Sequence, residues 1–518
     1  MVASVTESAP AVWRRSPERL FSGPSVLFAA ILVFALLLRL SFLGSSDFPL
    51  NDGGMFLQAV RDVQQNGYRL PHAMSYNSAA IPFAYPPLAF YLAALLDDFT
   101  PLDILQILRI VPLIFNILTV GAVWLLARAV LPTTETALLA TAFFAFSWES
   151  YGWQVMGGGL TRSPGLFFAV LAIYALYRLY VWQERRALPG AVLLASLAVL
   201  THPESAWFVA TTTALLVVLY GRRRAGIVHT ALVAGGVLLL TAPWWLAVVV
   251  QHGLSPLLAA FGTRGDLSEV LWTFVTLSFV DHLLLYFVIL GTIVAMVQRR
   301  WFLPLWFVDI WLMNPRTAHT FATIPAAFLA AETVLLLLLP SVQSALVAGG
   351  KHVRFSRVII MIILLPVIYA SSLVNKSLNL VLSPNERAAM AWVAANVPEE
   401  ARFVVVSGKI WGGDSSSEWF PVLARRVSVA TVQGHEWVGD FRVAVARYVS
   451  LQTCYVSDTR CLTEWLATIG TPVTHVYVRR QSDRGTGCCS AISIALRTDP
   501  HYHLVFENDD VAVYEKIW

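Results

Sequence analysis

Long apolar runs separated by short polar loops fill residues 25–375 of the chain. Runs of about 20 apolar residues are long enough to cross the hydrocarbon core of a bilayer as helices. The pattern predicts about eleven spans, near 25–43, 102–127, 135–149, 163–182, 187–200, 204–220, 227–250, 281–298, 301–314, 320–340 and 356–374.

The first loop after the first span, residues 44–101, is long and contains two further apolar patterns. Residues 53–66 place Met55, Phe56 and other apolar residues on one face of a helix, which predicts an amphipathic helix. The apolar segment 86–96 is too short to cross a bilayer, so we predict an interfacial or re-entrant helix there.

From residue 383 onward the pattern changes to that of an ordinary soluble α/β domain, 383–518. Predicted helices and strands alternate there. The helices are 384–397, 440–451 and 459–469, and the strands are 402–406, 427–432, 473–478, 502–506 and 511–517. Residues 414–421 form a polar and aromatic stretch, predicted to be a loop that either binds a glycan or anchors the domain. We assign this domain no catalysis, and acceptor recognition by it is a hypothesis.

Composition supports a membrane protein, because 57% of the residues are hydrophobic and only 13% are charged. A net charge of +4 with arginines at helix ends indicates membrane orientation and argues against nucleic-acid binding. Eleven crossings place the arginine-rich loops on one side, which must be the cytoplasm. This topology gives a cytoplasmic tail (1–24) and a multi-pass domain in the plasma membrane (25–375). The C-terminal domain is then extracytoplasmic. The first span is predicted to be a retained signal anchor.

All four cysteines lie in the C-terminal domain, at Cys454, Cys461, Cys488 and Cys489. Their spacing does not fit a zinc site, and an exported domain favours disulfides. Cys454 with Cys461 is the predicted bridge, although four reduced thiols stay open as an alternative.

The predicted outer loops hold the unusual polar sequences of the chain. Asp52 precedes the amphipathic helix, where it either caps the helix or acts as a general base. Arg162 follows Gly157–Gly159, and it either binds a phosphate or reaches the membrane surface as a structural arginine. Glu149 is predicted to be its partner or a second acidic group near a substrate.

Two further outer turns carry ionisable pairs. His202 and Glu204 flank Pro203, and they are either turn residues or contacts to a phosphate or sugar hydroxyl. Arg316 and His319 begin another helix and are the next phosphate-binding candidates. Ionisable groups at membrane depth cost free energy and are often functional. Because these groups all lie in predicted outer loops, we predict a binding or active site at the outer membrane interface.

These features resemble the GT-C fold of membrane glycosyltransferases, especially protein O-mannosyltransferases and lipid A aminoarabinose transferases. The resemblance rests on Asp52 in the first outer loop, the stretch 83–91 with Tyr85, and Arg109 in the next helix. It implies a sugar donor on a polyprenyl phosphate and an acceptor hydroxyl on a lipid, glycan or protein. It also implies that Asp52 is the base and that Arg162, His202 and Arg316 hold the lipid phosphate.

The sequence departs from that family pattern at two positions. Gly53 stands where many members have glutamate, and Ser163 stands where many have an acidic residue. The second carboxylate is therefore open, with Glu149 and Glu204 as the candidates, and Tyr85 and His319 join the substrate-binding candidates. No cofactor is expected to be required, and a divalent metal stays open. A transporter or flippase for a lipid-linked substrate is the alternative function.

Overall fold

The structure is a computed structural model that describes residues 23–265, 268, 270–271, 279–348, 356–377, 380–480 and 490–517. Most of the predicted cytoplasmic tail lies outside these residues, and so do Cys488 and Cys489.

The N-terminal two thirds of the chain are helical. The helices up to the predicted membrane exit are α1 Pro24–Leu43, α2 Gly54–Gln65, α3 Leu88–Phe99, α4 Ile104–Val130, α5 Thr134–Phe146, α6 Gly159–Tyr180, α7 Leu188–Thr201, α8 Pro203–Tyr220, α9 Arg224–His252, α10 Ser255–Phe261, α11 Phe279–Val297, α12 Phe302–Met313, α13 Ala318–Glu332, α14 Leu339–Ala348 and α15 Ser356–Ser377. A π-helix, Thr333–Leu338, joins α13 to α14, and the first outer loop adds a short hairpin of β1 Ala73–Met74 and β2 Ile81–Pro82.

Each of the eleven predicted spans overlaps a helix. Among the described residues, six helical segments have the length and hydropathy needed to cross a membrane: Pro24–Leu43, Ile104–Val130, Gly159–Tyr180, Pro203–Tyr220, Arg224–His252 and Pro315–Val342. Their outward faces carry exposed apolar side chains such as Val33, Leu239 and Val250, which suits contact with lipid. The chain is therefore a multi-pass membrane protein. The predicted helices in the first outer loop are present as α2 and α3.

The C-terminal domain contains the α/β arrangement expected from its sequence. Its helices are α16 Pro384–Asn396, α17 Ser415–Leu423, α18 His435–Val438, α19 Phe441–Thr453, α20 Thr459–Ile469 and α21 Ala491–Thr498. Its strands are β3 Arg402–Val406, β4 Val427–Ser428, β5 His475–Arg479, β6 Tyr502–Glu507 and β7 Val511–Lys516. They form one sheet in the order β4-β3-β5-β7-β6, with β3 parallel to β4 and β5 and the other pairs antiparallel. Cys454 and Cys461 form a disulfide with a Cα–Cα distance of 5.5 Å.

Two local predictions for this domain are wrong. The stretch 414–421 lies within a helix, α17, whose start is capped by Asp414 because its carboxylate accepts a hydrogen bond from Ser417 N at 3.2 Å. The predicted strand 427–432 pairs only at Val427–Ser428, after which the chain turns toward α18.

The C-terminal domain packs directly on the outer loops. One buried apolar cluster contains Phe56 and Phe90 from the membrane part together with Phe403, Trp419 and Trp437 from the domain. Polar contacts reinforce it, since Asn77 and Ser428 exchange two hydrogen bonds of 2.8 and 2.9 Å. The domain is thereby fixed over the helix ends that these loops connect.

Candidate active site

Asp52 and Arg162 form a buried ion pair where the first outer loop meets the start of α6. Arg162 Nη1 donates to Asp52 Oδ2 at 2.8 Å, and Nη2 donates to Oδ1 at 3.1 Å. Their side chains are only 9% and 19% exposed, so solvent screens this two-pronged contact weakly. Arg162 also lies over the ring of Trp153 at 4.4 Å.

The glycines before Arg162 let the Asp52 loop approach the start of α6. Gly158 N donates to Asp52 Oδ1 at 2.9 Å. A Cβ on Gly157 would lie 1.8 Å from the Asp52 carbonyl oxygen, and one on Gly158 would lie 2.3 Å from Asp52 Oδ2. Asp52 does not cap α2, because Gly53 occupies that position and no side chain of the loop caps it.

A second polar group surrounds His202, the single extended residue between α7 and α8. His202 Nδ1 contacts the hydroxyl of Tyr85 at 2.7 Å and that of Thr161 at 3.3 Å. On its other side, Nε2 lies 3.3 Å from Glu204 Oε2. Burial raises the pKa of the Tyr85 phenol, so that hydroxyl stays protonated at neutral pH. His202 therefore connects the membrane helices to the Tyr85 loop.

Two further arginines, Arg264 after α10 and Arg316 before α13, line the same space. Arg316 Nη2 is 3.8 Å from Glu436 Oε1 of the C-terminal domain, and its guanidinium lies over Trp411 and Phe441. Arg264 lies over the Phe261 ring at 3.4 Å and makes no ion pair within the described part of the chain. Sequence reasoning missed Arg264, because the loop after α10 has no recognisable phosphate-binding motif.

These groups line one cavity of about 450 Å³ between the membrane helices and the C-terminal domain. Of the residues predicted from the sequence, it collects Asp52, Tyr85, Arg162, His202, Glu204, Arg316 and His319. The domain contributes Trp411, Gly412, Glu418, Gln433, Gly434, Glu436 and Trp437. A volume of this size lies within the range of about 300–1,000 Å³ that is typical of ligand sites.

Glu149 lies instead on a neighbouring apolar cavity of about 130 Å³ between α5, α11, α12 and α13. His319 lines both cavities, and its Nε2 is 3.8 Å from Glu149 Oε2. Glu149 thus lines a different cavity from Asp52 and Arg162. His319 marks the junction between an apolar and a polar space.

Glu418, on α17, is the carboxylate that sequence reasoning placed in a loop. Its Oε1 accepts hydrogen bonds from Gly53 N at 3.1 Å and Met55 N at 3.4 Å, so it caps α2 from the other domain. Burial, and next the charge of Asp52, raise the pKa of Glu418 to about 8. Nothing local in the sequence signals this contact, since Gly53 and Glu418 are far apart along the chain.

Among the residues that the structure describes, no three His, Cys, Asp or Glu side chains are grouped so as to hold a metal ion.

Comparisons with known proteins agree with this architecture. Residues 84–246 match the family model described as dolichyl-phosphate-mannose-protein mannosyltransferase. No curated protein matches the sequence significantly. The structure resembles the archaeal oligosaccharyltransferase AglB from Archaeoglobus fulgidus, solved with an inhibitory peptide and a dolichol-phosphate. The TM-score is 0.55 at 13% identity, covering 89% of this chain and 70% of AglB.

Two further solved structures are similar. ArnT from Cupriavidus metallidurans, bound to undecaprenyl phosphate, has a TM-score of 0.53 at 15% identity, covering 95% of this chain and 97% of ArnT. The arabinofuranosyltransferase AftD from Mycobacteria has a TM-score of 0.57 at 16% identity, covering 96% of this chain and 40% of AftD. The chain therefore has the GT-C fold of membrane glycosyltransferases, which confirms the resemblance found in its sequence.

Proposed function

We propose that this protein is a membrane glycosyltransferase that transfers a sugar from a polyprenyl-phosphate donor to an acceptor hydroxyl on the extracytoplasmic face. The observation that carries the proposal is the junction at His319, where an apolar cavity between helices meets a polar cavity lined by arginines. A polyprenyl-phosphate sugar has the same order of parts: an apolar tail, an anionic phosphate and a polyhydroxyl head.

The apolar cavity suits the first isoprene units of the tail. Its walls are mainly hydrocarbon, from residues including Phe143, Val288, Phe307 and Ala326. Because it lies between helices that face the bilayer, a lipid tail entering from the side would keep contact with hydrocarbon throughout.

The phosphate would lie next to His319 and the two arginines beyond it. Arg264 carries a positive charge with no carboxylate partner in the described structure, and Arg316 is only loosely paired with Glu436, at 3.8 Å. Arg162 is less suitable, because Asp52 already occupies both of its terminal nitrogens. Preorganised guanidinium groups stabilise the negative charge that develops on a departing phosphate.

The sugar and the acceptor would share the polar cavity. Five tryptophans line it, namely Trp153, Trp207, Trp244, Trp411 and Trp437, and an aromatic face suits the apolar face of a sugar ring. Trp244 and Asn314 are lining residues that also carry buried polar atoms, Nε1 and Oδ1, without a hydrogen-bond partner in the described structure.

The orientation of the helices supports an extracytoplasmic site. The cavity residues lie at the starts of α6, α8 and α13, whereas Arg185, Arg186, Arg222, Arg223 and Arg224 lie at the other ends of α6, α8 and their neighbours. Arginine-rich ends face the cytoplasm, so the cavity and the C-terminal domain face outward in the plasma membrane. A transporter would place its binding groups near the bilayer midplane, which is not where these groups lie.

The reaction forms a bond between the acceptor oxygen and the anomeric carbon and breaks the bond from that carbon to the phosphate oxygen. The polyprenyl phosphate leaves with the bonding electron pair. The proton of the acceptor hydroxyl passes to a carboxylate of the cavity, for which Asp52, Glu204 and Glu418 are available.

The test is binding of undecaprenyl phosphate to the purified chain in lipid nanodiscs, measured by native mass spectrometry and by thermal stabilisation. We expect Arg264→Ala with Arg316→Ala to weaken binding at least tenfold, while Arg128→Ala, outside the cavity, leaves it unchanged. Binding that is equal in all three proteins would contradict the proposal. Transfer is then measured with synthetic undecaprenyl-phosphate hexoses and pentoses, using a membrane extract as the acceptor source.

A further inference from the structure

Glu418 is held in the cavity by contacts that cross from one part of the molecule to the other. Tyr76 OH donates to the Glu418 carbonyl oxygen at 2.7 Å, and Trp419 Nε1 donates to Asn51 O at 2.9 Å. At the start of the same helix, Asp414 Oδ2 accepts from Tyr448 OH at 2.6 Å and from Ser407 Oγ at 2.7 Å. The backbone at Glu418 is therefore anchored on both sides, and the residue is only 4% exposed.

The Glu418 carboxyl group keeps one oxygen available to a ligand. Its Oε1 accepts from Gly53 N and Met55 N, whereas its Oε2 accepts no hydrogen bond within the described part of the chain. The side chain lines the cavity next to Tyr85, Trp437 and Asp52. An acceptor hydroxyl in this cavity can thus meet a carboxyl oxygen that has no protein partner.

The other carboxylates of the membrane wall are already engaged. Both oxygens of Asp52 accept hydrogen bonds, from Arg162 twice and from Gly158 N. Glu204 pairs with His202.

The charges around Glu418 make it a stronger base than an ordinary glutamate. Burial and the negative charge of Asp52 raise the Glu418 pKa to about 8, Glu436 acts in the same direction, and the N–H groups of Gly53 and Met55 oppose them. Tyr76 also contacts this residue and is itself kept neutral by burial, which raises the pKa of its phenol. A general base is most effective when its pKa lies near the operating pH.

We propose that Glu418, from the C-terminal domain, is the catalytic base of the reaction, and this proposal rests on the proposed function. Its Oε2 accepts the proton as the acceptor oxygen bonds to the anomeric carbon and the polyprenyl phosphate leaves with the electrons of the broken bond. Asp52, fixed by Arg162, is a positioning residue whose constant negative charge keeps Glu418 basic. The active site is complete only when the C-terminal domain is docked.

The decisive variant is Glu418→Gln, which keeps an oxygen for Gly53 N and Met55 N and removes the base. We expect turnover to fall by about 10²-fold or more, with undecaprenyl phosphate binding unchanged. The rate of the unmodified protein should rise with pH up to about pH 8, and Glu418→Gln should remove that dependence. Glu464→Gln, an exposed glutamate of the same domain, is the matched control and should leave both the rate and the pH profile unchanged.

A second measurement does not depend on identifying the substrates. In pH-difference infrared spectra, a protonated carboxylic-acid band should titrate near pH 8, disappear in Glu418→Gln and shift to lower pH in Asp52→Asn. Absence of this band, or a full rate in Glu418→Gln with an unchanged pH profile, would overturn the assignment while leaving the proposed function standing. If neither the unmodified protein nor any variant bound undecaprenyl phosphate or transferred a sugar, while the band was still present, the proposed function would instead be overturned.

Discussion

The two walls of the cavity are built on different electrostatic principles. On the membrane wall, the acidic groups Asp52 and Glu204 each lie against a basic partner, Arg162 and His202. On the wall from the C-terminal domain, Glu418 is buried without a cation, so it holds its proton up to about pH 8. The comparison indicates that the membrane wall fixes charges in place, whereas the domain wall supplies a group able to exchange a proton at neutral pH.

The largest expected effect comes from breaking the Asp52–Arg162 ion pair on the membrane wall. Arg162→Ala leaves the partly buried Asp52 carboxylate without its cation, which should destabilise the protein by about 3 kcal/mol. Adding Asp52→Asn should restore part of that loss. Thermal unfolding in nanodiscs measures it, with Arg178→Ala as the control, because the Arg178–Glu184 pair is more than one-third exposed on both sides and contributes under about 1 kcal/mol. Equal losses of thermal stability in Arg162→Ala and Arg178→Ala would contradict a structural role for the Asp52–Arg162 pair on the membrane wall.

The disulfide tests the domain wall separately. Cys454→Ser with Cys461→Ser opens a loop with a sequence separation of 7 and should destabilise the C-terminal domain by about 2.5 kcal/mol. Undecaprenyl phosphate binding, which we assign to the membrane wall, should be retained at temperatures where the domain is still folded. Proteolysis monitors unfolding of the domain, and native mass spectrometry monitors lipid binding. Loss of binding at temperatures where the domain is still folded would contradict the assignment of lipid binding to the membrane wall.

Close packing at Gly157 holds the loop of Asp52 and Gly53 against the start of α6. A Cβ there would lie 1.8 Å from the Asp52 carbonyl oxygen, so Gly157→Ala should push the Asp52 loop away from α6 at a cost of about 2 kcal/mol. Turnover should fall further than stability predicts, because both Asp52 and the N–H groups bound to Glu418 move. Gly190→Ala is the control, since its Cβ meets open space in helix α7 and should be neutral or slightly stabilising.

The effect that is smallest per pH unit is a pH dependence of stability that comes from Glu418. Its folded pKa, about 8, lies above the ordinary value of 4.5, so between these two pH values the unfolded chain has lost a proton that the folded chain keeps. Stability should therefore fall as pH rises through this window, by at most about 1.4 kcal/mol per pH unit, and level off above it. Glu418→Gln should lack this slope in unfolding temperature measured from pH 5 to pH 9; an identical slope in both proteins would assign it to other groups.

The sequence was sufficient for the membrane helices, because a run of apolar residues constrains both helix formation and burial in lipid. It also placed Asp52, Arg162, His202 and Arg316 on one side of the membrane, and these four residues line the same cavity. Helix ends that share a membrane face lie at the same level of the molecule whatever their separation along the chain. Assigning each loop to one side of the membrane therefore grouped these residues.

The contribution of the C-terminal domain was not accessible in this way. In the stretch 414–421, three serines follow Asp414 and Pro421 ends the stretch, which weakens any helical signal. Residues 415–421 nevertheless lie in α17, which Asp414 caps. The contact of Glu418 with Gly53 depends on how two separately patterned regions dock, and no local periodicity encodes that. Arg264 was missed for a similar reason, since it lies in a short loop and acquires its role from its neighbours across the cavity.

The most direct test of the central claim is a cryo-electron microscopy structure of the full chain in nanodiscs containing undecaprenyl phosphate. We predict the phosphate beside His319, within hydrogen-bond distance of Arg264 or Arg316, and the first isoprene units between α5, α11, α12 and α13. Lipid phosphate bound elsewhere on the protein, with this cavity empty of it, would contradict the proposed function.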